Sequence, residues 1–283
     1  MAAEQQAVEL AGRPVADAVL SRVRNDVARL VTPPRLVFVR VGDDPASISY
    51  VRSKERAAQA TGIAARTVVL PGSTGQAELQ QLLEQLSSDR DVDGILLQLP
   101  LPDGLSAAEA IDCIAPDKDV DGLHPVNVGR LWNGEDGLFP CTALGLVELC
   151  DHYGIGLEGR EVTIIGRSQL VGKPAAALFL RRNATVTIAH SRTADLASVC
   201  RRSDVVVAAV GVPGLITADM VKPGAAVLDV GLTRVDGRIR GDVDPAVAGV
   251  AGALTPMPGG TGLMTVAMLL HNTLLAAERR RQV

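Results

Sequence analysis

The feature that most restricts the possible folds of this sequence is a glycine-containing turn between an apolar run and a helical pattern. The apolar run covers residues 162–165, and the turn begins at Gly166. It includes Gly172, and a helix is expected over residues 175–182, directly behind Pro174. A strand that leads through glycines into a helix N-terminus directs backbone N–H groups and the positive end of the helix dipole toward one point. The turn therefore predicts a parallel sheet and suggests a diphosphate site, with a plain tight turn as the alternative.

Alternating strand and helix patterns lie on both sides of this turn. Strand-like apolar runs occupy residues 36–41, 67–70 and 94–99 before it, and residues 185–189, 205–209 and 226–230 after it. Helical composition separates the first three runs, over residues 47–60 and 76–86. This alternation is typical of parallel sheets covered by helices. We predict an α/β protein with two lobes, an N-terminal βαβ lobe and a Rossmann-like, doubly wound second lobe.

The domain boundaries are predicted from one polar segment and from the end of the chain. Residues 117–140 are rich in Gly, Pro, Asp and Asn and break every periodicity, so we interpret them as a crossing between lobes with a cleft nearby. We expect a first domain at residues 1–122, a crossing segment at 123–140 and a second domain at 141–261. A last helix at residues 262–283 is expected to return to the first lobe.

The apolar stretch over residues 262–277 carries no charged residue, so a membrane span is the alternative to a buried helix. A span needs ~20 apolar residues, and this stretch is shorter and includes Thr265, His271 and Asn272. The length therefore favours a buried helix. The N-terminus has no basic region followed by an apolar run, and we expect a cytoplasmic protein without a membrane partner.

Charge and cysteine usage exclude further classes of protein. The formal net charge is −4, and the basic residues are spread along the chain, which argues against a nucleic-acid partner. The four cysteines show no C-x-x-C spacing and lie far from the four histidines in sequence. They therefore indicate neither a metal site nor a disulfide framework.

The residues around the turn indicate which nucleotide it would bind. Ser168 stands where the G-x-G-x-x-G pattern has its second glycine. In NAD sites an acid ~20 residues further on accepts hydrogen bonds from the ribose hydroxyls. Here the second strand runs into His190, Ser191 and Arg192, without an acid. Because Arg192 and Arg167 place guanidinium groups where a 2′-phosphate would lie, the sequence favours NADP.

Tyr50 and Lys54 form a second candidate site in the first lobe. They are four residues apart on a predicted helix, so both side chains leave the same face. Short-chain dehydrogenases use a pair with this spacing, but downstream of the glycine turn and inside the nucleotide-binding domain. Here the pair precedes Gly166 by more than a hundred residues, which argues against that class. A solvated lysine beside a half-buried tyrosine is the simpler alternative.

Several motifs now coincide with those of one family. They are residues 41–47 (VGDDPAS), 98–102 (QLPLP), 117–122 (DKDVDG), 140–142 (PCT), 258–260 (PGG) and 264–265 (MT), together with the Gly166 turn. With these motifs in this order, the chain resembles the bifunctional methylenetetrahydrofolate dehydrogenase/methenyltetrahydrofolate cyclohydrolase family from about residue 10 to the last helix. It departs from the family pattern at Ala143 and Leu263, where proline is usual, and at Thr261, where valine is usual.

The resemblance implies a folate-binding first lobe, an NADP-binding second lobe and a homodimer. It implies NADP-dependent oxidation of 5,10-methylenetetrahydrofolate, followed by hydrolysis of the methenyl product to 10-formyltetrahydrofolate. The implied catalytic residues are Lys54, Tyr50, Gln98 and Asp121, and the substrate site adds Leu99, Pro100, Pro258, Gly259 and Gly260. The implied cofactor contacts are Thr142, Gly166, Arg167, Ser168, Ser191, Arg192, Gly211 and Leu232. Lys54 would move protons, Tyr50 would stack on the substrate, and Asp121 would accept hydrogen bonds from the pterin.

Two other functions are compatible with parts of this pattern. One is a dehydrogenase that lacks the hydrolytic step, and the other is a folate- or nucleotide-binding regulatory protein without turnover. Gln98 could simply satisfy backbone at a strand end, and Asp121 could be one more acid in a polar loop. The combination of these residues with Lys54 argues against a pure binder, which has little need for an amine beside the reacting carbon.

Overall fold

The computed structural model describes residues 7–281, which divide into two compact units. One unit, called the six-stranded unit, contains the chain up to Ala16 together with Thr142–Thr265 and corresponds to the predicted second lobe. The other, called the three-stranded unit, contains Asp17–Cys141 together with the chain from Val266 onward and corresponds to the predicted first lobe. The prediction of a two-lobed α/β protein whose last helix returns to the first lobe is therefore confirmed.

The first two elements belong partly to each unit. Strand β1 (Val8–Glu9) joins the larger sheet, and helix α1 (Gly12–Val27) continues into the three-stranded unit. The sequence patterns did not predict β1, because a strand of two residues is too short to show alternation.

The three-stranded unit is built on a parallel sheet with the order β3-β2-β4. Its elements are β2 (Arg35–Val41), α2 (Pro45–Ala60), β3 (Ala64–Leu70), α3 (Gln76–Ser88), β4 (Gly94–Leu97), α4 (Ala107–Ile111) and α5 (Pro125–Asn133). The central strand β2 is buried at every residue after Arg35, as expected for a strand with neighbours on both sides and helices on its faces. Helix α3 contributes Leu79, Leu83 and Leu86 to this core.

The prediction of an irregular segment over residues 117–140 was wrong for its middle part, which forms α5. His124 caps this helix, because its Nδ1 accepts the N–H of Val126 at 3.1 Å. Pro125 occupies the first turn, and Gly134 ends the helix with a φ of 76°. A helix of nine residues has room for little more than one repeat of the helical spacing, so its pattern was outweighed by the Gly, Pro and Asp residues around it.

The six-stranded unit contains the doubly wound sheet. Its further elements are α6 (Cys141–His152), β5 (Glu161–Ile165), α7 (Gly172–Leu180), β6 (Thr185–Ala189), α8 (Leu196–Arg201), β7 (Val205–Ala208), β8 (Ala226–Asp229), β9 (Thr233–Val235), β10 (Arg238–Arg240) and β11 (Ala253–Leu254). The strand order is β1-β11-β8-β7-β5-β6, all parallel, and β9 and β10 form a separate antiparallel hairpin. The order reverses at β5, and ligands of doubly wound folds bind beyond the carboxyl end of such a strand.

Helix α7 begins three residues earlier than predicted, at Gly172, so Pro174 lies inside its first turn. Proline is tolerated there because the first N–H groups of a helix have no partner within the helix. The turn at Gly166 therefore leads into the helix N-terminus more directly than the sequence suggested.

The last helix, α9 (Gly262–Arg281), is anchored at its end by an ion cluster. The carboxylate of Asp93, at the start of β4, accepts the backbone N–H of Arg35 at 2.9 Å. It also pairs with Arg280 at 3.1 Å and with Arg281 at 2.9 Å.

Among the described residues, no helix combines the length and the apolar character that a membrane span requires.

We predict that Asp93→Ala lowers the free energy of unfolding by about 3 kcal/mol, because it leaves two guanidinium groups without their shared carboxylate. The matched control is Asp91→Ala, since Asp91 pairs with Arg35 at the surface with 80% of its side chain exposed. That control should cost less than about 1 kcal/mol. Urea denaturation followed by circular dichroism compares the two variants, and equal losses would contradict the anchoring role of Asp93.

Candidate active site

Helix α2 presents the first pair of predicted site residues. Asp44 starts the helix by accepting the N–H of Ser47 at 2.7 Å, and Pro45 follows in the first turn. Tyr50 is 54% exposed, whereas Lys54 is partly buried. The helix thus offers an accessible aromatic ring and, one turn later, an enclosed amine.

Gln98 orients the amine of Lys54. It follows β4 directly, is 9% exposed, and its Oε1 accepts a hydrogen bond from Lys54 Nζ at 3.0 Å. Its Nε2 donates to the carbonyl oxygen of Leu99 at 2.6 Å, which fixes the amide with its oxygen toward the lysine. Pro100, after a cis peptide bond, is exposed. The contact between Lys54 and Gln98 joins two residues that the family resemblance assigned to one site.

Asp121 and the neutral thiol of Cys141 complete the surroundings of Lys54. Burial lowers the pKa of Lys54, and the charge of Asp121 opposes this effect. Burial also raises the pKa of Asp121, against the attraction of Lys54. The pKa of the Cys141 thiol lies well above its usual value, chiefly through burial. Lys54 therefore releases a proton more readily than a surface lysine, a property suited to general acid–base chemistry.

Cys141 belongs to the PCT motif of residues 140–142, but the sequence did not predict a role for it in the site. Its thiol donates to the carbonyl oxygen of Val120 at 3.4 Å, beside Asp121. The available signal was its position between Pro140 and Thr142, at the first residue of α6.

The glycine turn of the six-stranded unit has the geometry of an anion-binding loop. Gly166 has a φ of 122°, and a Cβ there would overlap the carbonyl of Ala209. A Cβ at Gly172 would overlap the carbonyl of Gly166, so both positions require glycine. Ser168 Oγ accepts the N–H groups of Val171 and Gly172, at 3.1 and 3.3 Å. Within residues 7–281, the N–H groups of Arg167 and Ser168 bond to no other group, so they are free for a ligand.

The loop after β6 lies at the same edge of the sheet, because Ile165 of β5 pairs in register with Ala189 of β6. Ser191 and Arg192 are both exposed. The loop is preformed, since His190 Nδ1 accepts the N–H of Arg192 at 3.1 Å. In the part of the chain that the structure describes, no acid pairs with Arg167 or Arg192. Arg167 and Arg192 thus come after the ends of the neighbouring strands β5 and β6, and their guanidinium groups are free to bind an anion.

Two buried acids that the sequence reasoning missed organise the remaining loops of this edge. Asp229, at the end of β8, accepts the N–H groups of Gly231, Asp242 and Val243 at 2.9 to 3.0 Å. Asp242 accepts the N–H groups of Val210 and Gly211, at 2.6 and 3.1 Å. These carboxylates are 2% and 0% exposed, and together they bind five backbone donors.

The acids fix the backbone next to two predicted cofactor contacts. The N–H of Gly211 donates directly to Asp242. Leu232, which is 52% exposed, follows Gly231, whose N–H donates to Asp229. A Cβ at Gly231 would overlap Asp242, and one at Gly241 would overlap Asp229. The available sequence signal was therefore an acid near a glycine on both sides of the β9–β10 hairpin.

The other predicted residues of the six-stranded unit lie near the two ends of its longer stretch, Thr142–Thr265. Thr142 and Thr265 join their hydroxyl groups at 3.0 Å. The carbonyl of Gly259 accepts the N–H of Gly12 at 2.8 Å, and Gly260 is buried, whereas Pro258 is exposed. Thr261, a departure from the family pattern, donates its hydroxyl to the carbonyl of Asp229 at 3.0 Å.

The predicted residues fall into two groups, one in each unit. Tyr50, Lys54, Gln98 and Asp121 belong to the three-stranded unit together with Leu99 and Pro100, and the other predicted contacts belong to the six-stranded unit. Among residues 7–281, no cluster of three or more His, Cys, Asp or Glu side chains could hold a metal ion.

Fold and side chains together define an α/β enzyme with a nucleotide-type glycine turn in one unit and an enclosed lysine in the other. Residues 140–281 match the NAD(P)-binding domain of the tetrahydrofolate dehydrogenase/cyclohydrolase family, and residues 10–121 match its catalytic domain. The chain belongs to this family, so the resemblance is confirmed. It is a bifunctional methylenetetrahydrofolate dehydrogenase and methenyltetrahydrofolate cyclohydrolase, with tetrahydrofolate derivatives as substrates.

Similar proteins cover almost the whole chain. The bifunctional protein FolD of Thermus thermophilus is 52% identical over 272 residues, which span 96% of each chain. The crystal structure of the bifunctional FolD enzyme from Campylobacter jejuni is 40% identical, with a TM-score of 0.95, and covers 96% of this chain and 99% of its own. FolD of Trypanosoma brucei, complexed with NADP cofactor and inhibitor, is 39% identical with a TM-score of 0.92, covering 98% and 99% of the two chains. An NAD-dependent 5,10-methylenetetrahydrofolate dehydrogenase from Saccharomyces cerevisiae, 21% identical, shares the fold.

The buried acids Asp229 and Asp242 predict that the free energy of unfolding depends on pH. Burial, together with the nearby charge of Asp242, raises the pKa of Asp229 to about 6. Because this pKa lies above that of an unfolded chain, ionisation opposes folding, and the stabilising contribution present at low pH is lost as the pH rises toward 6. Relative to Asp229→Asn, the free energy of unfolding of the wild type should fall by about 2 kcal/mol between pH 4.5 and pH 7. Denaturation curves at both pH values test this, and a constant difference would contradict it.

Proposed function

We propose that this enzyme uses NADP to oxidise 5,10-methylenetetrahydrofolate, and then hydrolyses the 5,10-methenyl product to 10-formyltetrahydrofolate. The main support is the enclosed Lys54, held by Gln98 and influenced by Asp121. Within the described residues, the N–H groups of Arg167 and Ser168 are free and no acid pairs with Arg167 or Arg192, which supports the choice of nucleotide. The NADP complex of the Trypanosoma brucei relative is consistent with that choice.

Lys54 is proposed to move the protons of the hydrolytic step. Addition of water to the methenyl carbon requires a group that takes a proton from the water and returns one to a ring nitrogen. The lowered pKa of Lys54 suits both tasks, and Gln98 holds the amine in one direction. A freely rotating surface lysine would be mostly protonated at neutral pH and poorly oriented.

The surrounding residues are proposed to hold the folate. The exposed ring of Tyr50 offers a stacking surface one helical turn from Lys54. Asp121 would accept hydrogen bonds from the amide and amine groups of the pterin, and Leu99 and Pro100 would contact its edge. We assign Pro258, Gly259 and Gly260 to the same substrate, on the basis of the family resemblance.

Dehydrogenation requires alignment more than a strong base, because the folate nitrogens stabilise the cation that forms. When bound, NADP supplies the hydride acceptor. The N–H groups of Arg167 and Ser168, beside Gly166, would hold its diphosphate, as their freedom in this chain allows. Gly211, Leu232 and Thr142 are proposed to contact the rest of the dinucleotide.

The preference for NADP over NAD is proposed from the charges after β5 and β6. An acid at the end of β6 would bind the ribose hydroxyls of NAD and repel a 2′-phosphate. This chain has Ser191 and Arg192 there, with Arg167 on the neighbouring loop. The net effect should favour the dinucleotide with the extra phosphate.

The functional domains are proposed as residues 1–122 with 262–283 for folate, and residues 141–261 for NADP, joined by residues 123–140. We further propose a cytoplasmic homodimer. All four cysteines are free, as suits a reducing compartment. Within the described residues, the outer edge of β3 pairs with no other strand and carries the exposed Val69, so it is open to a second copy.

We predict that Lys54→Met reduces methenyltetrahydrofolate hydrolysis by about 100-fold or more, because the proton-transfer group is lost. The fold and the affinity for NADP should stay unchanged, since methionine is also unbranched and only slightly shorter, and Lys54 lies outside the six-stranded unit. Arg52→Met, at an exposed position of the same helix, is the matched control and should retain hydrolysis. Loss of the methenyl absorbance reports the rate, and full hydrolysis by Lys54→Met would refute the role of Lys54.

We also predict that the double variant Arg167→Ala/Arg192→Ala binds NADP more weakly by about 1.5–3 kcal/mol per lost charge-assisted contact. The affinity for NAD should change little, because NAD has no 2′-phosphate. Arg202→Ala is the control, since Arg202 is exposed in the same unit but pairs with Glu161. Titration of both dinucleotides against all three proteins decides the matter, and equal losses for NADP and NAD would show that these arginines do not read the phosphate.

A further inference from the structure

Asn272 is a fully buried amide in the apolar helix α9, with 1% of its surface exposed. Its Nδ2 donates to the carbonyl oxygens of Val120 and Phe139, each at 2.9 Å, and lies 3.7 Å from Cys141 Sγ. These partners are more than a hundred residues away in sequence and belong to two different segments of the three-stranded unit. A buried amide is costly unless it is hydrogen-bonded, and a leucine would fill a similar volume.

The two segments that Asn272 joins both carry groups that surround Lys54. Val120 immediately precedes Asp121, and Phe139 stands two residues before Cys141. The segments are in backbone contact, because Gly122 has a φ of 72° and a Cβ there would overlap the backbone of Phe139. The amide thus lies at the point where the loop of Asp121 meets the start of α6.

The neighbouring Thr273 is also polar and buried, but its hydrogen bond is of a different kind from those of Asn272. Thr273 is 0% exposed, and its hydroxyl donates to the carbonyl of Leu269, one turn earlier in α9. That hydrogen bond satisfies the hydroxyl within its own helix. Asn272 instead directs both of its strong hydrogen bonds away from α9.

We propose that Asn272 is a positioning residue for the hydrolytic reaction, because its amide holds together the two segments that carry Asp121 and Cys141 and so fixes the carboxylate that acts on Lys54. The inference rests on the proposed role of Lys54. The charged group that acts on Lys54 is Asp121, and its carboxylate is in hydrogen-bond contact with the neutral Cys141 thiol. Asp119 is the next acid, close enough for the charge of Asp121 to act on it. The charge of Asp121 raises the pKa of Lys54 against the effect of burial.

The test compares Asn272→Leu with the matched control Thr273→Val, using the full-length protein. In Asn272→Leu the two segments lose their common donor, and the rate of methenyltetrahydrofolate hydrolysis at saturating substrate should fall about tenfold or more. Because the carboxylate of Asp121 then acts less strongly on Lys54, the pKa of Lys54 falls, and the rising limb of the pH–rate profile should shift to lower pH. Thr273→Val should keep the wild-type profile, and both variants should bind NADP as the wild type does.

Asn272→Ser is the second variant, in case the leucine variant does not fold. It keeps one hydroxyl donor that is too short to reach both carbonyls, so an intermediate loss with the same direction of shift is expected. An unchanged pH profile and turnover in the folded Asn272 variants, with a lowered melting temperature alone, would overturn the inference. Lys54→Met, assayed alongside, separates the two proposals, because retained hydrolysis there would refute the role of Lys54 itself.

Discussion

Every strand of the two main sheets is parallel, so the carboxyl ends of all strands in a sheet lie along one edge. This constraint places the polar residues that follow buried strands side by side, although they are distant in sequence. Gln98 follows β4, and in the other sheet Arg167 follows β5, Arg192 follows β6 and Gly211 follows β7. The strands themselves carry mainly packing residues, and the chemistry is left to the loops.

The loops at these edges need their own source of rigidity, because they lack the regular hydrogen bonds of strands. Asp229 and Asp242 supply it in the six-stranded unit by accepting five backbone N–H groups. Asn272 supplies it in the three-stranded unit by donating to two carbonyls. One unit thus uses buried acceptors and the other a buried donor, and both satisfy backbone groups that would otherwise be buried without partners.

The parts of the fold that the sequence predicted well are those with a long or strongly apolar pattern. The strand β6 was predicted with its observed bounds, and the other main strands within three residues at either end. The helix α5 was missed, because its capping by His124 and Gly134 is a local geometry and not a period. The neighbourhood of Lys54 and Gln98 was expected from the family resemblance, whereas the roles of Asp229 and Asp242 depend on contacts across loops. Such contacts leave only a weak trace in sequence, as an acid near a glycine.

The division of the chain into units has a consequence for the order in which the protein is made. Each unit consists of two separate stretches of chain, and the three-stranded unit receives α9 only from Val266 onward. A ribosome therefore releases Asp93, Val120 and Phe139 long before Arg280 and Asn272, their partners, have been synthesised. Until α9 emerges, the nascent three-stranded unit lacks the buried side chains of this helix, and apolar surface exposed in this way favours association. Synthesis of the final helix thus marks the moment at which the three-stranded unit can complete its core.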